Sequence, residues 1–220
     1  MKPRPADWFF GVVIALFTLM CALFYSQRFV AYFGPGRMLE FGFYAGAIVA
    51  VVTVLWRWLR PLELRGPVLT LILVGIVMHF LGGLMDVQGV RLYDRWYLFG
   101  VRYDKYVHLV NAFAVGLLLQ NLIEVEGLSL GRWRGPLVWL AVLGLGVLVE
   151  IAEYVVTCQV PDHGVGTYDN NMLDLVANCV GGLGLLAAWQ WAWVRRLATP
   201  RALGAVAIGQ PVPEETPPAR

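Results

Sequence analysis

Six runs of apolar residues, at 8–25, 39–58, 67–85, 106–123, 137–158 and 171–194, decide what this chain can fold into. Each is close to the roughly 20 residues that an α-helix needs to cross the hydrocarbon core of a bilayer. No water reaches that core to satisfy backbone N–H and C=O groups, so such a segment folds as a helix whose backbone bonds to itself. The prediction is an all-α polytopic membrane helix bundle with six transmembrane helices. A content of 59% hydrophobic against 15% charged residues, with a mean hydropathy of +0.64, excludes an ordinary soluble globule. The net charge of +2 is too small for a nucleic-acid binder, and the arginines fall between apolar runs, where membrane topology explains them. Cys21, Cys158 and Cys179 are too scattered for a disulfide framework or a thiolate metal site and read as small packing residues. The run that follows Lys2 and Arg4 is long enough to span and lacks a small-x-small cleavage pattern, so it reads as a retained anchor.

The expected connections are 26–38, which contains Gly34-Pro35-Gly36, then 57–66, a long one over 86–105, 124–136 and 159–170. Residues 1–197 form the transmembrane domain, and the Ala-, Pro- and Glu-rich stretch 198–220 is expected to be a disordered cytoplasmic tail. Of the 17 Lys and Arg residues, six (Arg28, Arg37, Arg91, Arg95, Arg102 and Lys105) fall on one side of the resulting topology and eleven on the other. The positive-inside rule therefore places both termini in the cytoplasm. Trp8, Trp56, Trp58, Trp133, Trp191 and Trp193 then lie at the inner interface, where an aromatic belt belongs.

Under that topology His79 and Asp86, then Asp104, His108 and Asn111, then Glu150 and Glu153, then Asp169, Asp174 and Asn178 all fall in the outer half. An ionisable group inside a bilayer costs roughly 2.5–3.5 kcal/mol even on lenient scales, so these residues need a reason to be there. Their spacing puts them on narrow helix faces: Asp104, His108 and Asn111 step by four and three, Glu150 and Glu153 by three, Asp174 and Asn178 by four. Pointed inward, such stripes offer the oxygen-rich, His-containing ligand set of a divalent cation. A proton relay or a hydrogen-bond network that fixes helix packing uses the same residues. Two carboxylates one turn apart, Glu150 and Glu153, repel unless a cation or a shared proton lies between them, and Lys105, His79 and His108 are candidate neutralisers. Asp104 and Asp169 also stand where helix N-caps are expected. His79 with Gly82 and Gly83 reads equally as close helix packing, and His163 in the loop reads as solvated.

Tyr103-Asp104 followed by His108-Leu-Val-Asn111 echoes Tyr168-Asp169 followed by Asp174-Leu-Val-Ala-Asn178. The echo suggests that the third and fourth helices and the fifth and sixth are parallel repeats facing one another across the site.

In His79-x-x-Gly82, Tyr103-Asp104-Lys105-x-x-His108, Glu150-x-x-Glu153 with an aromatic next, and Tyr168-Asp169 with Asp174, the chain resembles the YjdF-like family of uncharacterised bacterial inner-membrane proteins. Asp174-x-x-x-Asn178-x-x-Gly181 resembles, more distantly, the VanZ-like family linked to glycopeptide resistance. The resemblance covers residues 66–190 and implies a multi-pass protein of the bacterial inner membrane with a shared set of polar positions; it implies no substrate.

The leading functional expectation is a membrane-embedded enzyme or binding protein. Its periplasm-facing cavity, with metal ligands from His79, Asp104, His108, Glu150, Glu153 and Asp174, holds one divalent cation and handles a lipid-linked or amphiphilic substrate. Glu150, Glu153 and Asp174 are its candidate catalytic groups, and Asp86, Asn111, Asp169 and Asn178 support them. The alternatives are a structural or accessory subunit with a polar packing network and a proton- or cation-coupled transporter. Membrane lipids are the only other partners the sequence indicates.

Overall fold

The structure, a computed structural model, describes residues 3–60, 64–95, 97–159, 167–191 and 195. The loop that carries His163 and the expected tail 198–220 lie outside the described residues. Six helices are long and apolar enough to cross a membrane: Pro5–Ala31, Phe41–Leu59, Gly66–Gly83, Tyr103–Val125, Gly131–Val155 and Tyr168–Trp189. The all-α prediction holds.

The first span is built from α1 (Pro5–Met20), a π-helical turn over Cys21–Tyr25, and α2 (Ser26–Phe33). Its start combines Pro5 at the first helical position with the Asp7 carboxylate, which accepts the Arg4 backbone N–H at 3.0 Å. The chain was expected to leave the helix at Ser26, but it stays helical to Phe33 because 26–33 contains no breaker. The stop is Gly34, at a φ of +81°, a conformation that disfavours a side chain, followed at once by Pro35. α3 (Met38–Leu59) returns along α1 and ends where Asp7 also accepts Trp56 Nε1 at 2.9 Å and Arg60 Nε at 3.0 Å.

The remaining spans are α4 (Gly66–Leu84), α6 (Tyr103–Val125), α7 (Arg134–Gln159) and α8 (Tyr168–Trp189). α6 is the hub, packed against α4, α7 and above all α8. α6 and α8 run in the same direction: Lys105 meets Asn170 near their starts, and Leu185 packs on Gly116 further along. Gly181 makes this approach possible, since a Cβ there would collide with the Leu109 carbonyl oxygen and lie 2.9 Å from the Ala112 methyl. Val68, Leu117, Val138 and Leu185, one from each of these four helices, form the apolar core cluster. Outward stand Leu140, Leu148, Ile151, Leu173, Val176 and Val180, all exposed, as lipid-facing positions should be.

The long connection 86–105 is more ordered than the sequence suggested. It holds two antiparallel two-residue ribbons, β1 (Asp86–Val87) with β2 (Val90–Arg91) and β3 (Tyr97–Leu98) with β4 (Val101–Arg102). Between them lies one helical turn, α5 (Leu92–Arg95). Gln88-Gly89 and Phe99-Gly100 make their tight turns, all four with φ between +53° and +82° as the right-handed strand twist requires. Asp94 ties this strap together by accepting Arg91 Nε at 2.7 Å and an Arg102 terminal N–H at 2.6 Å.

At the opposite end, Gln120 and Asn121 are wholly buried. Arg134 serves this end three ways: it donates to Gln120, pairs with Glu124, and lies over the Trp189 ring at 5.2 Å.

Candidate functional site

The first turns of α6 and α8 start side by side, and their polar residues interlock. α6 begins at Tyr103 rather than near 106, which moves Lys105 from an expected loop into the first helical turn. Its side chain is 8% exposed and the three N–H donors of its Nζ are shared among four oxygens within hydrogen-bond distance: Asp104 Oδ2 at 3.0 Å, Asn170 O at 3.0 Å, Asn170 Oδ1 at 2.9 Å and Asp174 Oδ1 at 2.7 Å. Asn170 Nδ2 in turn donates to Asp174 Oδ2 at 2.8 Å, one turn along α8. Arg102 adds a bond from its Nη1 to Asn170 Oδ1 at 2.9 Å. Each charge in this knot has a counter-charge, which is the condition for keeping ions out of water.

His108 stands one turn into α6 from Asp104. Its Nε2 is 3.3 Å from Asp174 Oδ1, and its Nδ1 is 4.0 Å from Glu150 Oε1 on α7. The ring is thus placed between two carboxylates, one per nitrogen. His108, Glu150 and Asp174 each bring a ligand atom within 4.8 Å of the other two, a separation that a bound metal ion can close.

Glu150 differs from the other buried acids among the described residues. Its side chain is 7% exposed, and neither carboxylate oxygen has a hydrogen-bond partner among the described residues. A buried carboxylate without a donor is costly by several kcal/mol in effective terms, so a proton or a cation belongs beside it. α7 can bring Glu150 this close because Gly146, one turn earlier on the same face, lets Asn178 of α8 pack against its backbone. A Cβ at Gly146 would sit 2.7 Å from Asn178 Nδ2. Asn111 plays a similar part on the other flank, seated on Gly75 of α4.

The structure brings together Asp104, His108, Glu150 and Asp174, and it seats Asn178 on α7 beside them. The other expected site residues are placed differently. His79 turns to the strap: its Nδ1 is 2.6 Å from the Tyr93 hydroxyl, and the Tyr93 ring occupies the space that a side chain at Gly82 would fill. The His79-x-x-Gly82 pattern thereby docks the strap on α4. Burial holds the Tyr93 phenol well above its ordinary pKa, with nearby Tyr25, Tyr103, Glu153 and Asp104 adding to the effect, so it stays protonated. Glu153 is half-buried and lies outside the 4.8 Å group. Asp169 is not the N-cap of α8. That position is Thr167, and Asp169 is exposed in the first turn, where a negative charge suits the helix dipole. Asp104 likewise follows the N-cap Arg102 and accepts the Lys105 backbone N–H at 2.9 Å. Asp86 opens β1, with its backbone in register with Arg91.

Asn170 and Tyr93 are the parts of the site that sequence reasoning did not select, and Lys105, expected as a candidate neutraliser of Glu150 and Glu153, instead bridges Asp104 and Asp174. Lys105 adjoins Asp104, and that i, i+1 pairing of opposite charges at an apolar boundary was the available signal. Nothing in the spacing marks Asn170 or Tyr93.

Set against known proteins, the chain matches a family model described as Predicted membrane protein (DUF2238) over residues 8–196. No curated protein and no solved structure matches it.

Proposed function

The chain belongs to this family of predicted membrane proteins (DUF2238), and on that premise we propose that the polar end of its bundle is a divalent-cation site that serves a lipid-linked or amphiphilic substrate. The observation that carries the reading is Glu150, a buried carboxylate with two unpartnered oxygens that faces His108. One imidazole and two carboxylates within 4.8 Å suit a borderline or hard divalent ion. When bound, the ion polarises a phosphoryl or carbonyl oxygen or activates water. Glu153, one turn from Glu150, is the spare carboxylate for proton transfer. The Lys and Arg distribution favours a periplasmic position for this end, and the YjdF-like and VanZ-like resemblance favours the bacterial inner membrane.

A second reading has its own observation. The Lys105 knot with Asp104, Asn170 and Asp174 is complete without any ligand, which suits an accessory subunit whose polar network orders the bundle. Elemental analysis of detergent-purified protein separates the two. The cation reading expects a near-stoichiometric metal that a Glu150→Gln, Glu153→Gln double variant loses. Metal-free wild type, with a melting temperature indifferent to chelator, overturns it and leaves the packing network.

A further inference from the structure

The two carboxylates that flank His108 are not equivalent. Asp174 is fully engaged: Oδ1 accepts Lys105 Nζ at 2.7 Å, Oδ2 accepts Asn170 Nδ2 at 2.8 Å, and its side chain is 2% exposed. Among the described residues, Glu150 has no donor on either oxygen. A cation that bound Asp174 Oδ1 directly would displace or repel the ammonium already there, whereas a cation beside Glu150 meets only unshared lone pairs. His108 turns Nε2 toward the engaged carboxylate and Nδ1 toward the open one. This is the arrangement of a metal-binding histidine, which gives its far N–H to a carboxylate and so fixes both tautomer and ring angle.

Resting on the cation reading above, we infer that the ion is held between His108 Nδ1 and Glu150, with Asp174 as a positioning residue behind His108. The 4.0 Å from Nδ1 to Glu150 Oε1 is slightly longer than the roughly 3.3–3.6 Å that would separate two donors at roughly 2.0–2.2 Å from a tetrahedral ion, a gap that a small side-chain shift would close. Lys105 and Asn170 then belong to the mechanism at one remove, since they hold Asp174 in place. The three donors that lie closest together therefore divide into two ligands and one orienting group.

The test uses the full-length protein in detergent, stripped with chelator and titrated with Zn²⁺ and with Co²⁺. Glu150→Gln should abolish binding. Asp174→Asn should keep a one-to-one stoichiometry and the Co²⁺ visible spectrum while weakening affinity by about 10- to 100-fold, the range for loss of a carboxylate behind a ligating histidine. An Asp174→Asn protein that loses Co²⁺ as completely as Glu150→Gln does overturns the assignment. Because that variant also removes a Lys105 partner and can fail to fold, a measurement on the wild type runs beside it. In ¹⁵N-histidine-labelled, Zn²⁺-loaded protein, with His108 assigned by comparison with the His79→Gln and His163→Gln variants, Nδ1 should carry the metal shift and Nε2 should keep its proton. A metal-bound Nε2 sinks the inference but leaves the cation site standing, whereas wild type that takes up neither metal sinks both.

Discussion

Replacing Lys105 with Met would keep most of the side chain's length and remove only the ammonium that four oxygens share. Asp104 and Asp174 would then face each other while buried, with Arg102 Nη2, 4.0 Å from Asp104 Oδ2, as the next cation. Breaking a buried pair from one side costs about 3–5 kcal/mol, so Lys105→Met should lower stability in detergent by that order in a denaturant titration. A loss under about 1 kcal/mol would mean that water or a mobile cation already reaches the two carboxylates. Tyr93 allows a milder test. Tyr93→Phe keeps the ring in the space over Gly82 and removes only the contact with His79 Nδ1, for about 1 kcal/mol, whereas Tyr93→Ala also loses the packing and should cost about 3–5 kcal/mol.

At the scale of elements, the close approach of α6 and α8 rests on the missing side chain of Gly181. Gly181→Val would press two methyls toward the Leu109 carbonyl and the Ala112 methyl, and backbone cannot swing aside as a flexible side chain can. An overpacking cost of about 1–3 kcal/mol is expected, together with a wider α6–α8 spacing that shortens the lifetime of the Lys105 bridge. Faster hydrogen exchange at the starts of both helices would report it; unchanged exchange would show that the helices do not move as units. The sequence made these elements legible, because apolar runs of spanning length have few other folds available and the steps of three and four residues show which side chains share a face. The same information is silent about which face meets which. His79 was read together with the acids because it shares their depth, yet it binds a tyrosine of the strap. The first turns of α6 and α8 were read as loop, because polar residues suit a helix start and a connection equally well. The helical run over Ser26–Phe33 was missed for the same reason.

The whole molecule has two polar ends separated by the apolar cluster of Val68, Leu117, Val138 and Leu185. One carries the His108, Glu150 and Asp174 group, and the other carries Asp7 with Trp56 and Arg60, and Gln120 and Glu124 with Arg134. The charge distribution proposes the periplasm for the His108 end, and single cysteines test it. Gln88→Cys, in the turn of the first ribbon, should react with a membrane-impermeant thiol reagent applied from the periplasmic side, while Ser129→Cys, in the loop between α6 and α7, should not. The reverse pattern would turn the molecule over and give the cation site to the cytoplasm.

Asp104 and Lys105 are neighbours in the chain and already bridge at 3.0 Å. Synthesis proceeds from the N-terminus, so α6 leaves the ribosome before α8, at a time when Asp174 and Asn170 cannot yet help. Lone charges near the middle of an inserting helix are penalised by roughly 2.5–3.5 kcal/mol each, but these two sit at the helix start and arrive as a dipole that supplies its own counter-ion. The nascent helix can therefore wait in the membrane with its charges matched internally, and the later arrival of α8 has only to extend an existing bridge. Biogenesis, on this view, needs no ion to be present at the ribosome.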